Sequence, residues 1–214
     1  MPGDNAPAFL RFSLECEVLR FGRFRTKAGR DSPYFFNAGL FRDGRSMARL
    51  GRYYAEALLA AAIPFDMLFG PAYKGIPLVV ATAIGLQDRS GKAVPFAFNR
   101  KEEKDHGEGG GMIGAPLAGR VMIVDDVISA GISVAESAGW IRAAGATLAG
   151  VVIALDRQER GQGQLGAVAE VSRDLGVPVV AIASLDDLVA LLQTDPSLSA
   201  RLPEIRAYRE RYGA

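Results

Sequence analysis

An α/β fold, with helices flanking a central, mostly parallel sheet of five strands, is what the sequence predicts. Three observations carry that expectation. Five short runs are continuously rich in Val, Ile, Leu and Phe rather than alternating, as in strands buried on both faces. Longer amphipathic stretches separate them, the alternation of parallel strands joined by crossover helices. With 214 residues, 49% of them hydrophobic, the chain is long enough to bury one sizeable core.

Residues 1–41 read as a small N-terminal cap or hood. An N-terminal helix comes first, and the segment 20–41, "RFGRFRTKAGRDSPYFFNAGLF", follows as short strands and turns because of its repeated Gly, its Pro and its aromatics. The α/β core covers 42–214. A helix near 46–62 precedes the strand 66–70 "DMLFG", and a helix near 75–87 leads to the strand 94–98 "VPFAF". The polar segment 100–116 is too long for an ordinary connection and is expected to be a functional, mobile loop. Next come the strand 121–125 "VMIVD", a helix 133–144 stopped by Gly145, and the strand 149–155 "AGVVIAL". A helix near 164–175 and the strand 178–183 "PVVAIA" complete the alternation, and 184–214 reads as two helices. No repeat or interdomain linker interrupts the pattern, so 1–214 is expected to form a single domain.

Charge and cysteine content narrow the function class. Lys+Arg number 25 against 24 Asp+Glu, a net charge of +1, whereas a duplex-binding protein usually shows a strong basic excess. The single Cys16 forms no internal disulfide and no metal cluster, which suits a reducing compartment. The first residues lack a basic region followed by a long apolar one, and no apolar run reaches the roughly 18 residues that span a bilayer. A cytoplasmic protein with no nucleic-acid or membrane partner is expected.

In open parallel sheets, ligands bind outside the carboxyl ends of the strands, so those ends locate the site. One strand ends in Asp125 and Asp126, and Ser129-Ala130-Gly131 then turns into a helix. Small residues let backbone amides converge, and a helix N-terminus favours an anion, so the turn suits a phosphate. Two carboxylates beside a phosphate make sense if they meet hydroxyls of the same ligand, the arrangement in a ribose 5-phosphate. The alternative is a strand exit with two solvated aspartates. A second strand ends in Gly70-Pro-Ala-Tyr-Lys-Gly75, where Lys74 is a point charge suited to a further anionic group; the alternative is a surface turn with an extended lysine. The long loop brings Arg100, Lys101, Lys104 and His106, the chain's only histidine, followed by glycines that permit a lid to swing over a polyanion. A disordered, mixed-charge loop without a role is the competing view. A further strand end places Arg157 near the same space, where it either pairs with a carboxylate ligand or forms a surface ion pair with Asp156.

The strand, Asp-Asp pair and small-residue turn of "VMIVDDVISAG" resemble the signature of the type I phosphoribosyltransferases, which use phosphoribosyl pyrophosphate (PRPP). "KAGRDSPYFFNAGLF", "LFGPAYKGIPL", "FNRKEEKDHGEGG" and "LDRQERG" add a resemblance, over nearly the whole chain, to the bacterial orotate phosphoribosyltransferase family. The resemblance implies the type I phosphoribosyltransferase fold, with a hood and a catalytic loop. It also implies a non-proline cis peptide before Tyr73 and transfer of the phosphoribosyl group from PRPP to orotate in pyrimidine synthesis. Lys27, Lys101, Lys104, His106, Asp125 and Asp126 are the implied catalytic residues. PRPP contacts are implied for these six and for Tyr73, Lys74, Arg100, Val127, Ile128, Ser129, Ala130, Gly131, Ile132 and Ser133. Lys27, Phe35, Phe36, Ser129 and Arg157 are implied to meet orotate, although neighbours in a strand face opposite ways and one Phe has an ordinary core role as its alternative. Mg²⁺ is the implied cofactor, held mainly by PRPP and water with no direct protein cage. A homodimer whose lids are shared across subunits is implied as well. One departure stands out: Ile132 follows Gly131 where the family has Thr or Ser, and Ser133 comes one position later. A transferase for another base, or a PRPP sensor without turnover, remain the competing functions.

Overall fold

The computed structural model describes residues 5–26, 28–101, 111–161 and 163–214. Helix α1 (Ala6–Glu15) buries Phe9, Leu10 and Phe12, and the antiparallel hairpin of β1 (Leu19–Arg25) and β2 (Asp31–Phe36) follows it. The hairpin forms a sheet of its own. The helix and the hairpin's Leu19, Tyr34 and Phe36 both join the main core, where the Phe9 ring lies 6.2 Å from Phe36 and 5.3 Å from Tyr53. Helix α2 (Gly44–Ala61) opens on Asp43, whose carboxylate accepts a 2.9 Å bond from the Ser46 amide, the side-chain cap that a helix start lacking backbone partners requires.

From there the strand–helix alternation runs as the sequence predicts: β3 (Met67–Gly70), α3 (Gly75–Ser90), β4 (Phe96–Asn99), β6 (Arg120–Asp125) after the short β5 (Met112–Gly114), α4 (Ile132–Ala143), β7 (Thr147–Asp156), α5 (Ala167–Leu175) and β8 (Val179–Ser184). Helices α6 (Leu185–Thr194) and α7 (Leu202–Tyr212) follow. The sheet order is β5-β4-β3-β6-β7-β8, all pairs parallel except β5 against β4. That is one strand more than expected. Strand β5 falls inside the segment 100–116, and its three residues are too few to show a period; it exists because the free edge of β4 offers a ladder, pairing Asn99 with Met112.

Successive residues of the central strands supply two different cores, which is why their sequences are apolar throughout rather than alternating. Leu68, Met122, Val124, Val152 and Ala154 face α1, α2, α3 and α6. Met67, Phe69, Val121, Ile123, Val151 and Ile153 face α4 and α5. Covered on both faces, the sheet presents its strand ends, and β3 and β6 stand side by side at its centre with their carboxyl ends pointing the same way. No helix among the described residues is long and apolar enough to cross a membrane.

Candidate active site

The β3 end turns sharply into α3. A Cβ on Gly70 would lie 2.2 Å from the Gly75 carbonyl oxygen, and one on Gly75 only 2.6 Å from Pro71 Cδ, so both positions admit only glycine. Within this turn the Ala72–Tyr73 peptide is cis, as the resemblance implies. Asn99, at the end of β4, holds the turn from the side: its Oδ1 accepts a 2.7 Å bond from the Ala72 amide, and its Nδ2 donates to the Arg100 carbonyl. Lys74 then reaches across to β6, with Nζ 2.7 Å from Asp126 Oδ2. Lys74 is half exposed and Asp126 buried, and the pair ties the β3 turn to the end of β6.

Asp125 and Asp126 are both buried, at 8% and 5% exposure, which rules out the reading as solvated aspartates. The β6 backbone around them is firmly fixed. Asp125 Oδ1 accepts from the Asp126 amide at 2.8 Å, Asp126 Oδ1 from the Val127 amide at 2.9 Å, and Tyr54 Oη donates to the Asp125 carbonyl at 2.8 Å. Burial, and then the Asp126 charge beside it, push the Asp125 carboxyl up to about 7; the Asp126 amide, Lys74 and Ser133 pull the other way without cancelling them. The site thus holds a carboxyl that gains from any hydroxyl donor a ligand brings.

Past Asp126 the turn 127–131 leads into α4, which begins without a side-chain cap; so does α3. Gly131 has φ 70°, the left-handed conformation that glycine adopts without cost, and a Cβ there would sit 2.7 Å from Val171 Cγ2. Ser129, Ala130, Ile132 and Ser133 are exposed at this uncapped end, with Ile132 at 62%. Ile128 is buried in the α4–α5 core and Val127 is packed against the other core, so only the backbone of these two is placed for a ligand. Ile132 at the first helical position leaves the amide group in place and carries an apolar side chain where a hydroxyl was expected.

Of the basic residues in the loop, Arg100 and Lys101 are described. The Arg100 amide donates to the Gly111 carbonyl at 2.6 Å, joining the two stems, while the buried Arg100 Nε has no hydrogen-bond partner among the described residues. Lys101 Nζ lies 5.9 Å from the centre of the exposed Tyr73 ring, which brings the loop stem against the β3 turn. Lys104, His106 and Lys27 lie outside the described residues.

The hairpin settles the question of the two phenylalanines. Phe36 packs in the core, and Phe35 faces the other way, stacked on Phe24 with ring centroids 5.3 Å apart. Arg157 follows β7 and is mostly buried, at 12% side-chain exposure; its partner is Glu159 at 2.6 Å, not Asp156, which instead accepts from the Gln158 amide. The guanidinium also donates to Ser32 Oγ at 3.1 Å and to Tyr208 Oη at 3.4 Å, and lies 4.3 Å from the centre of the Tyr34 ring. Burial opposes its charge, but Tyr34, Glu159 and Tyr208 outweigh it and hold its pKa above the ordinary value. Asn99, Ser32, Tyr34, Glu159 and Tyr208 were not singled out in the sequence. Glu159 stands two positions after Arg157, whereas the others come from distant segments that no local spacing connects.

The comparisons agree with this geometry. Residues 40–180 match the family model described as a phosphoribosyl transferase domain. An orotate phosphoribosyltransferase of Chromobacterium violaceum is 62% identical over 98% of both chains, and one of Cronobacter sakazakii 57% identical over 96% of both. The crystal structure of the orotate phosphoribosyltransferase of Francisella tularensis superposes with a TM-score of 0.85 at 37% identity, covering 97% of this chain and 100% of that one. With fold, strand-end motifs and full-length relatives in accord, the chain belongs to the orotate phosphoribosyltransferase family.

Proposed function

We propose that this protein transfers the 5-phosphoribosyl group of PRPP to orotate, giving orotidine 5′-monophosphate and pyrophosphate in pyrimidine synthesis. The observation that carries the proposal is the buried Asp125–Asp126 pair, standing between Lys74 and the uncapped start of α4. The turn 129–133 binds the 5-phosphate through its amides, as helix starts bind anions. Asp125 and Asp126 accept hydrogen bonds from the ribose hydroxyls, and Lys74 with the β3 turn faces the pyrophosphate. Arg157 meets the orotate carboxylate, and Phe35 and the hairpin border the base.

In the reaction, the orotate ring nitrogen bonds to the anomeric carbon as the bond from that carbon to pyrophosphate oxygen breaks, and the proton lost from that nitrogen ends on pyrophosphate. The leaving electrons go with pyrophosphate, and the ribose gains oxocarbenium character. Two carboxylates beside the sugar stabilise that positive charge, and Lys74 and Arg100 favour the departing anion. Orientation of two bound reactants supplies much of the remaining acceleration. The donor set suits magnesium that arrives on the substrate: two adjacent carboxylates, one already tied to Lys74. Bound in that way through PRPP and water, the ion would neutralise pyrophosphate charge, and Asp125 and Asp126 are the residues that would help to hold it. The proposal extends to a cytoplasmic homodimer in which Lys101, Lys104 and His106 of one subunit close over the partner's site.

Loss of orotate absorbance on mixing the protein with PRPP and Mg²⁺, abolished by a chelator and matched by pyrophosphate release, is the expected result. Turnover of another base but not orotate would keep the PRPP site and discard the role given to Arg157. Binding of PRPP without any turnover would leave a sensor in place of an enzyme.

A further inference from the structure

One carboxylate at the base end of the site serves two guanidiniums. Glu159 Oε1 accepts from Arg157 Nε at 2.7 Å and lies 2.6 Å from its Nη2, while Oε2 accepts from Arg30 Nη1 at 3.1 Å. Tyr208 Oη donates a third bond, 2.7 Å, to the same Oε1. All three charged side chains are largely buried, at 12%, 13% and 19% exposure for Arg157, Glu159 and Arg30. Two cations against one anion leave an excess positive charge in a poorly solvated place, and such an excess is costly unless an anion completes it.

The geometry of Arg157 shows which edge is taken. Its hydrogen bonds to described residues run through Nε and Nη2, to Glu159, Ser32 and Tyr208. Nη1 is engaged by none of them, so a donor remains on the guanidinium end. A guanidinium held side-on by one carboxylate keeps its plane fixed and loses little further freedom when a second carboxylate arrives at its other edge.

Glu159 is itself anchored from outside the sheet. It forms an isolated antiparallel bridge with Gly213, just after α7, and its carbonyl accepts from the Ala167 amide at the start of α5. The neighbouring Arg160 amide donates to the Tyr212 carbonyl at 2.9 Å. Arg30, from the turn of the hairpin, closes the other side through Glu159 and the Arg160 carbonyl.

We propose that Glu159, supported by Tyr208, is a positioning residue for base recognition: it fixes the Arg157 guanidinium so that its open edge meets the substrate carboxylate, and ties that edge to α7 and the hairpin. This rests on the reading of Arg157 as the group that meets orotate. Glu159 does not touch the base; it acts through Arg157.

The test is steady-state kinetics on the full chain, with KM measured separately for orotate and PRPP. Glu159→Ala is expected to raise KM for orotate about tenfold, a typical cost of losing a charge-assisted bond, while KM for PRPP stays within about twofold. Glu159→Gln, which keeps an acceptor, recovers most of that loss, and Tyr208→Phe produces a smaller rise of the same kind. A purely structural role would lower the melting temperature without splitting the two KM values, and that result overturns the proposal. A fall in orotate KM on removing Glu159 also overturns it, because Glu159 would then be a competitor standing in for the substrate carboxylate. Arg157→Gln run in parallel separates the two readings: an unchanged orotate KM there sinks the role of Arg157 itself. Should Glu159→Ala fail to fold, Glu159→Gln and Tyr208→Phe decide between the same outcomes.

Discussion

Asp125 combines burial, a like-charged neighbour and a proposed place beside the sugar, and its titration follows from the first two. Its folded-state pKa of about 7 lies above the roughly 3.9 of an unfolded aspartate. Between those values the folded state holds a proton that the unfolded state has lost. The stability this group contributes is therefore complete below about pH 4 and declines as pH rises towards about 7, by an amount on the order of a few kcal/mol. Asp125→Asn is expected to flatten that part of the pH–stability curve, read by thermal melts between pH 4 and 8. Retention of the full slope in the variant would show that the carboxyl titrates normally. Hydroxyl donors favour the ionised form, so PRPP should bind more tightly as pH rises towards 7. The same variant should lose roughly a hundredfold in turnover, the scale of removing one stabilising group from a reacting centre, with little loss of folding.

Helix starts in this chain differ in how their free amides are satisfied. Helix α6 has a full capping box: Ser184 Oγ accepts from the Asp187 amide, and Asp187 Oδ2 accepts from the Ser184 amide. Helices α3 and α4, at the β3 and β6 ends, have no side-chain cap, and neither do α1, α5 and α7. An uncapped start leaves its amides open to water or a ligand, whereas a capped one satisfies part of them itself. Ser184→Ala is accordingly expected to lower stability by about 1 kcal/mol in urea unfolding, with both KM values unchanged. A change in either KM would mean that α6 contributes to the site after all. The helix spacing and the Gly145 stop were legible in the sequence, as were the β-α alternation and the Asp-Asp turn. Strand β5 was not, because three residues show no period, and the start of α5 at Ala167 rather than near 164 reflects a bridge between Arg160 and Gly166 that pairs residues across a turn.

At the scale of the whole molecule, the proposed binding surface draws on one end of the sheet, the hairpin and α7, so ligand occupancy should be felt as global stability. Mg²⁺–PRPP at about a hundred times its Kd is expected to stabilise the fold by roughly 2.7 kcal/mol, visible as a rise in melting temperature that an Asp125→Asn variant largely loses. An equal rise in wild type and variant would place the ligand elsewhere. The sequence by itself determined the layer architecture, because continuous apolar runs alternating with amphipathic ones have few other ways to bury their surface. It also determined the half of the site proposed to face phosphate, since Gly70–Gly75 and Asp125–Gly131 are contiguous segments whose chemistry is local. Only the tertiary structure assembled the half proposed to face the base. There Ser32, Tyr34, Arg157, Glu159 and Tyr208 meet from β2, the end of β7 and α7, across separations of 51 and 125 residues for the Arg157–Tyr208 and Arg157–Ser32 bonds. Contacts of that range are set by how the hairpin and α7 pack on the sheet, and no local pattern in the chain encodes them. The same packing chose between Phe35 and Phe36, since a strand's period says that neighbours diverge but not which of the two faces the core.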